Sequence, residues 1–303
     1  MEDNMKAEVV IFHATDRTKL NGLIYNYKED KDKIIICTHG MGNNCFHERE
    51  MKTASLAEAD NIAVFTYNNR GAYLVTKLKK EYENKEIPFI AGAAHENILD
   101  GYYDIKGAIE FALSLGYKKI YLQGHSLGTT KIVYTYNRLK EENYENLNSI
   151  KGVILTSLID IPQAVIDLWN LSPEKVNSVF KLAKKMIDEG RGKDFMPEGS
   201  FIQPVSANEF YRICVDNEET NFARYHDPDY KYEKLNNIEV PLFMRWGNDG
   251  ELIAQDAKDL VEMLNKKIKN NNKDFGFIDG ADHSYHGHEE ELARQIIDFV
   301  NRI

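Results

Sequence analysis

The stretch that most constrains this chain is Ile120 to Thr130, which reads IYLQGHSLGTT. Apolar and aromatic residues (Ile120, Tyr121, Leu122) run into Gly124-His125-Ser126-Leu127-Gly128, after which Lys131, Ile132, Val133 and Tyr134 take up a helical pattern. That order predicts a strand, a sharp turn and a helix, with a serine at the apex. A G-x-S-x-G turn strains the backbone at the serine, and a side chain at either glycine would collide with the neighbouring strand or helix. Ser126 then stands clear of the sheet at a helix N-terminus, whose partial positive charge favours a developing oxyanion. The five-residue match alone signals no more than an ordinary turn. Its strand–turn–helix setting makes Ser126 a candidate nucleophile.

The same strand–helix rhythm extends in both directions. Glu8 to His13 and Leu20 to Tyr27 flank the polar turn Thr15-Asp16-Arg17-Thr18, which predicts an opening hairpin. Lys33 to Thr38 (KIIICT), Ile62 to Tyr67 and Lys151 to Leu155 are apolar throughout, as expected of strands buried on both faces. Helical patterns fall over Arg49 to Ala59 and from Ile98 to a stop at Gly116. The run Lys77 to Glu86 reads as a solvated loop, with a mobile flap as the alternative. Val240 to Trp246, Ala254 to Ile268, Asp274 to Ile278 and Glu289 to Ile303 continue as strand, helix, strand, helix. The expected fold is α/β, a mostly parallel sheet with helices on both faces. Ligands then gather beyond the carboxyl ends of the strands.

Between them, Ile161 to Asn237 breaks the rhythm. Helical patterns around Ala164 to Trp169 and Val176 to Ile187 lead into an irregular piece holding Gly190, Gly192, Pro197, Gly199 and Pro204. This divides the chain into a first core portion (1–160), an inserted helical cap (161–238) and a second core portion (239–303). Trp169, Phe201, Phe210, Tyr211, Phe222 and Tyr225 are available to line a pocket, although the packing of the cap's own small core accounts for most of them.

The strand Lys33 to Thr38 ends in His39-Gly40-Met41-Gly42. Two glycines after a strand signify a turn; paired with the serine elbow they suggest an oxyanion hole, the Met41 amide donating beside the Leu127 amide. His39 is expected to support that loop by hydrogen bonding. Composition narrows the partners. The net charge of −10 argues against nucleic acid or an anionic membrane surface. No run approaches the ~20 apolar residues of a membrane span. The acidic opening MEDNMKAEVVIF lacks the features of a signal peptide, so a cytoplasmic protein is expected. Cys37, Cys45 and Cys214 form no C-x-x-C and fit reduced thiols.

Taken in order, H-G-x-G after an early strand, G-H-S-L-G mid-chain, G-N-D after a late strand and G-A-D-H before the last helix resemble the α/β-hydrolase superfamily across essentially the whole chain, cap excepted. The resemblance implies the order nucleophile, acid, histidine, met by Ser126, Asp249 and His283. His283 would take and return the serine proton, a task for a group titrating near neutrality. His286 and His288 nearby raise the alternatives of a surface histidine or a metal ligand, but the histidines and Asp279 and Asp282 share one segment without paired ligand spacing. For the acid, Gly247-Asn248-Asp249-Gly250-Glu251-Leu252-Ile253 resembles a G-x-x-D-E-x-I pattern in which Gly250 stands at the acid's place and Asp249 one residue early. Asp249 is favoured, Asp160 after the strand following the nucleophile helix is the alternative, and Glu251 stands third. A narrower resemblance, to a branch that includes fungal siderophore esterases, rests on Gly92-Ala93-Ala94-His95-Glu96, Tyr121 to Ser126, Val153-Ile154-Leu155 and Pro204-Val205-Ser206-Ala207. That branch often shows a Ser-Asp pair that would favour Asp160.

These readings converge on a serine hydrolase with no metal or organic cofactor, a carboxylesterase for a small-molecule ester. Thioester, amide and peptide hydrolysis stay open because the fold does not set the substrate. A non-catalytic receptor on the same fold is the reading from another class. A homodimer is left open.

Overall fold

The computed structural model describes residues 5–27, 32–167 and 172–303. Ten strands and nine α-helices are found among them. The strands are β1 (Ala7–His13), β2 (Lys19–Tyr25), β3 (Lys33–Thr38), β4 (Ile62–Tyr67), β5 (Thr76–Tyr82), β6 (Lys85–Ala91), β7 (Lys119–His125), β8 (Ile150–Thr156), β9 (Leu242–Gly247) and β10 (Lys273–Ile278). The helices are α1 (Glu48–Ala57), α2 (Gly101–Ser114), α3 (Leu127–Glu141), α4 (Ile161–Asp167), α5 (Pro173–Asp188), α6 (Ala207–Cys214), α7 (Glu233–Asn236), α8 (Ala257–Lys267) and α9 (Glu289–Asn301).

Eight strands form one sheet in the order β1-β2-β4-β3-β7-β8-β9-β10. The β1–β2 hairpin is antiparallel and joins β4 antiparallel, whereas every pairing from β4 to β10 is parallel. The apolar strand runs are explained by burial on both faces. In β3, Ile34 and Ile36 point into a core shared with Ile105 and Ile109 of α2 and Ile132 of α3. Ile35 and Cys37 point the other way, against Ala54 of α1 and Ile296 of α9. Side chains alternate with period two, so a strand between two helical layers is apolar at every position. All three cysteines are free and buried.

The charged run Lys77 to Glu86 is not a loop. It forms most of a second, two-stranded sheet in which β5 pairs antiparallel with β6. Period-two alternation and charge pairing account for this: Lys79 bonds Glu86, and Glu81 accepts from Lys19 at 2.7 Å and contacts His13 at 2.8 Å, tying the hairpin to β1 and β2.

No strand lies between β8 and β9 among the described residues; α4, α5, α6 and α7 occupy that stretch. Val165, Val179, Ala183, Phe210 and Ile213 make its apolar cluster, which also takes in Leu127 and packs against Met41. Trp169 lies outside the described residues. Among the described residues no helix is long and apolar enough to cross a membrane.

Because β3, β7, β8, β9 and β10 are parallel, the loops after them open on one edge of the sheet. Met41, Ser126, Ser157, Glu251 and His283 all stand on that edge.

Candidate active site

Ser126 joins β7 to α3 with φ 52° and ψ −126°, a conformation that costs free energy and persists only where its surroundings impose it. The surroundings are backbone. The Ser126 N–H donates to the Thr156 carbonyl at 3.0 Å and the Ser126 carbonyl accepts from the Thr129 amide at 2.9 Å. A β-carbon at Gly124 would lie 2.5 Å from the Gly128 carbonyl oxygen, and one at Gly128 would lie 2.2 Å from that of Thr38. Only glycine lets strand, helix and the end of β3 come so close.

His283, in the loop after β10, brings Nε2 to 2.9 Å from Ser126 Oγ. Its Nδ1 is hydrogen-bonded to Glu251 Oε1. A carboxylate only accepts, so Nδ1 carries the ring proton and the Nε2 lone pair faces the serine hydroxyl. The His283 carbonyl accepts from Nε2–H of His125 at 2.8 Å. Burial first, then the nearby Arg49 and His283, hold the His125 pKa well below the ordinary histidine value, so that ring is neutral.

Glu251 is buried and fully engaged. Oε2 accepts from the Ser157 hydroxyl at 2.6 Å and the Gly247 amide at 3.1 Å, and Oε1 accepts from the Leu252 amide at 2.8 Å. Burial alone would raise its pKa. The hydrogen bond and charge of His283, with the Ser157 and Gly247 donors, outweigh burial and hold the carboxyl below its ordinary value.

The two aspartates favoured by the sequence do not occupy this place. Asp249 is exposed, its amide donating to the Ala281 carbonyl at 3.0 Å. Gly250 follows with φ +75°, a left-handed turn that sends the chain back towards the site. The carboxylate therefore arrives one residue late, and the extra methylene of glutamate spans the remaining gap. Asp160 is buried, but it accepts from Asn221 at 2.9 Å and bonds Nδ1 of His226 at 2.6 Å. It serves a different histidine. The other acidic residues near His283 are also engaged, Asp279 with Asn248 and Asp282 with His286.

Ser157 escaped the sequence reading. At the carboxyl end of β8 it has φ 55°, and its hydroxyl also lies 3.0 Å from that of Tyr285, a second residue with left-handed backbone (φ 62°). A small polar residue ending a core strand was its sole mark in the sequence.

The loop after β3 closes on the elbow from the other side. A β-carbon at Gly40 would lie 2.9 Å from Ser126 Cβ, so the backbone there touches the serine. His39 is buried and neutral; burial, with the nearby Lys131, drives its pKa down to about 3. Nε2 accepts from the Asn69 amide at 3.2 Å, so Nδ1–H donates to the Gly40 carbonyl at 2.8 Å. In a planar trans peptide the Met41 N–H then points to the opposite side. Asn69 is fixed in turn by the fully buried Lys131–Glu96 pair, whose ammonium donates to Asn69 Oδ1 at 3.2 Å and to Glu96 at 2.7 Å. Neither Met41 N–H nor Leu127 N–H donates to any other group among the described residues.

The mostly parallel eight-stranded sheet with a serine elbow after its central strand defines an α/β-hydrolase fold. Residues 102–303 match the family described as "Protein of unknown function (DUF1749)", and the chain belongs to that family. Solved structures agree on the fold. An α/β-hydrolase fold protein of unknown function is 15% identical with a TM-score of 0.70, covering 100% of this chain and 97% of its own. A soluble variant of monoglyceride lipase from Saccharomyces cerevisiae is 14% identical with a TM-score of 0.65, the match covering 96% of this chain and 94% of the lipase. An esterase from Pyrococcus furiosus is 16% identical with a TM-score of 0.59, covering 98% and 91% respectively. No curated protein sequence matches the chain.

Proposed function

We propose that this chain is a serine hydrolase, a carboxylesterase that cleaves a small-molecule ester through an acyl-enzyme. The observation that carries the reading is the unbroken line Ser126 Oγ, His283, Glu251, with a bond to each ring nitrogen. His283 removes the Ser126 proton as Oγ attacks the acyl carbonyl, and Glu251 stabilises the imidazolium that forms. The carbonyl oxygen, now an oxyanion, is met by the Met41 amide in the loop after β3 and the Leu127 amide at the start of α3. His283 then protonates the leaving alkoxide, and water repeats the sequence on the acyl-enzyme to release the acid. Residues 161–238 act as a cap, their apolar cluster meeting Met41 and Leu127 beside the reacting centre.

Intact mass after incubation with a fluorophosphonate tests the reading. A single rapid adduct is expected on the wild type, none on Ser126→Ala, and slow labelling on His283→Ala and Glu251→Gln. Asp249→Asn and Asp160→Asn should label at the wild-type rate. A folded wild-type protein that takes no adduct and turns over no ester refutes the proposal.

A further inference from the structure

One fully buried ion pair lies behind the β3 loop and takes no part in the proton transfers. The side chains of Lys131, on α3 just beyond the nucleophile, and Glu96 are closed to solvent, with Nζ 2.7 Å from Oε2. The carboxylate packs on bare backbone: a β-carbon at Gly71 would lie 2.3 Å from either Glu96 oxygen. Such a pair is a poor device for stability, because desolvating two charges offsets most of their attraction and apolar chains of equal volume often serve as well. What the ammonium holds gives it a reason to be there.

It holds Asn69. Asn69 Oδ1 accepts from Lys131 Nζ at 3.2 Å and from the Gly71 amide at 2.9 Å, while Nδ2 donates to the His39 carbonyl at 3.3 Å. Only one orientation of the carboxamide serves these partners. Flipped, its NH2 would face an ammonium and an N–H, and its oxygen would face a carbonyl. The Asn69 backbone N–H donates to His39 Nε2 at 3.2 Å, so a single residue grips His39 by both its carbonyl and its ring. That carbonyl also lies against the elbow, 2.9 Å from where a β-carbon on Gly128 would stand. Burial, and after it the Lys131 charge, keep the His39 ring neutral, whereas a protonated ring would turn a donor on the Asn69 N–H. From the other ring nitrogen the line runs to the Gly40 carbonyl at 2.8 Å, and that peptide carries the Met41 N–H.

Resting on the serine-hydrolase reading, we propose that Asn69, oriented by the buried Lys131–Glu96 pair, is a positioning residue that fixes the Met41 half of the oxyanion hole through His39. Removing an oxyanion donor outright lowers kcat about a hundredfold to a thousandfold, so loosening one should lower it about tenfold to a hundredfold. The loss falls on kcat because the full oxyanion exists only near the transition state.

Two variants test this, with p-nitrophenyl butanoate as substrate and melting curves to establish folding. Asn69→Ala breaks the line and leaves the ion pair; Lys131→Met with Glu96→Met removes the pair without leaving a lone buried charge. In each, kcat should fall about tenfold to a hundredfold while KM changes less than about threefold. The second readout is inhibition by hexyl trifluoromethyl ketone. Ser126 Oγ adds to the ketone carbon, its proton passes to His283, and the ketone oxygen becomes an oxyanion held by the same two amides. Its inhibition constant should rise by the factor by which kcat/KM falls, which a general loss of packing would not require. With all three substitutions combined, the loss should be no greater than the larger of the two, because both act along one line. Wild-type kcat in either folded variant, losses that multiply on combination, or unaltered inhibition beside a lowered kcat overturns the proposal. If the methionine variant does not fold, Asn69→Ala decides by kcat and inhibition together. Fluorophosphonate labelling separates the two failures: a labelled, active wild type with unchanged variants removes the positioning role alone, whereas no labelling and no turnover removes the hydrolase reading and this role with it.

Discussion

Replacing Glu251 by Gln is the sharpest perturbation of the candidate site, because it removes one charge and keeps the volume. In the folded protein that carboxylate is buried and faces Nδ1 of His283. When the imidazole takes the serine proton, the new positive charge lies about 4 Å from the carboxylate charge. At an effective dielectric constant near 20 this attraction is worth about 4 kcal/mol. Loss of 4 kcal/mol in the transition state is a fall of about a thousandfold in rate. Substrate binding does not use the charge, so the loss belongs in kcat, with KM changed less than about threefold. The assay is steady-state hydrolysis of a p-nitrophenyl ester, backed by the fluorophosphonate labelling rate, which does not depend on deacylation. Asp249→Asn is the matched control, since it removes a charge two residues away that lies in solvent. A fall of less than about tenfold in Glu251→Gln, or an equal fall in Asp249→Asn, would refute the assignment of the acid.

Three further outcomes follow from the same geometry. Ser157→Ala removes a charge-assisted donor at 2.6 Å but leaves the Gly247 and Leu252 amides on Glu251, so kcat should drop about tenfold to a hundredfold while the melting temperature stays within a few degrees; an unchanged kcat would make Ser157 a packing residue only. Gly128→Ala sets a methyl group 2.2 Å from the Thr38 carbonyl oxygen and should lose about 3 kcal/mol in urea unfolding, a loss under ~0.5 kcal/mol contradicting the close approach. Asp16 is held at about 2: burial pushes its pKa up, and the Arg70 charge with hydrogen bonds from Lys80, Thr18 and Arg70 pulls it down further. A folded pKa below the unfolded value means stability that is present above pH ~4 and lost as pH falls towards 2. Discounted for its partial exposure, Asp16→Asn should destabilise by about 1 to 2 kcal/mol at pH 7 and by much less at pH 2, read from urea midpoints; an effect independent of pH would refute the charge pairing.

Local signals made much of the architecture legible. A β-branched run such as Lys33 to Thr38 has few other fates than a doubly buried strand, and Ile34 and Ile36 against Ile35 and Cys37 divide between the two cores as period two requires. The turn at Ser126 was legible because glycine on each side of a serine, between a strand and a helix, answers a steric demand that the backbone of Gly128 and Thr38 imposes. The hairpin of β5 and β6 was not legible, since its charge content resembles a solvated loop and its stability comes from pairing with distant Lys19 and His13. Glu251 was named but ranked behind Asp249 and Asp160. Its rank depended on where the chain turns, and that is set by the left-handed Gly250 and by the Asp249 amide binding Ala281.

What the sequence determined by itself is therefore what short-range sterics and periodic burial decide: the order of the strands and helices along the chain, the two faces of the sheet, and a serine raised on a glycine-flanked turn. Only the tertiary structure decided which carboxylate meets His283, that Asp160 belongs to His226, and that Ser157 holds Glu251 in place. Those choices turn on ångström differences between loops from separate strands. A one-residue offset in a loop reverses which side chain faces the site, and local periodicity carries no record of it.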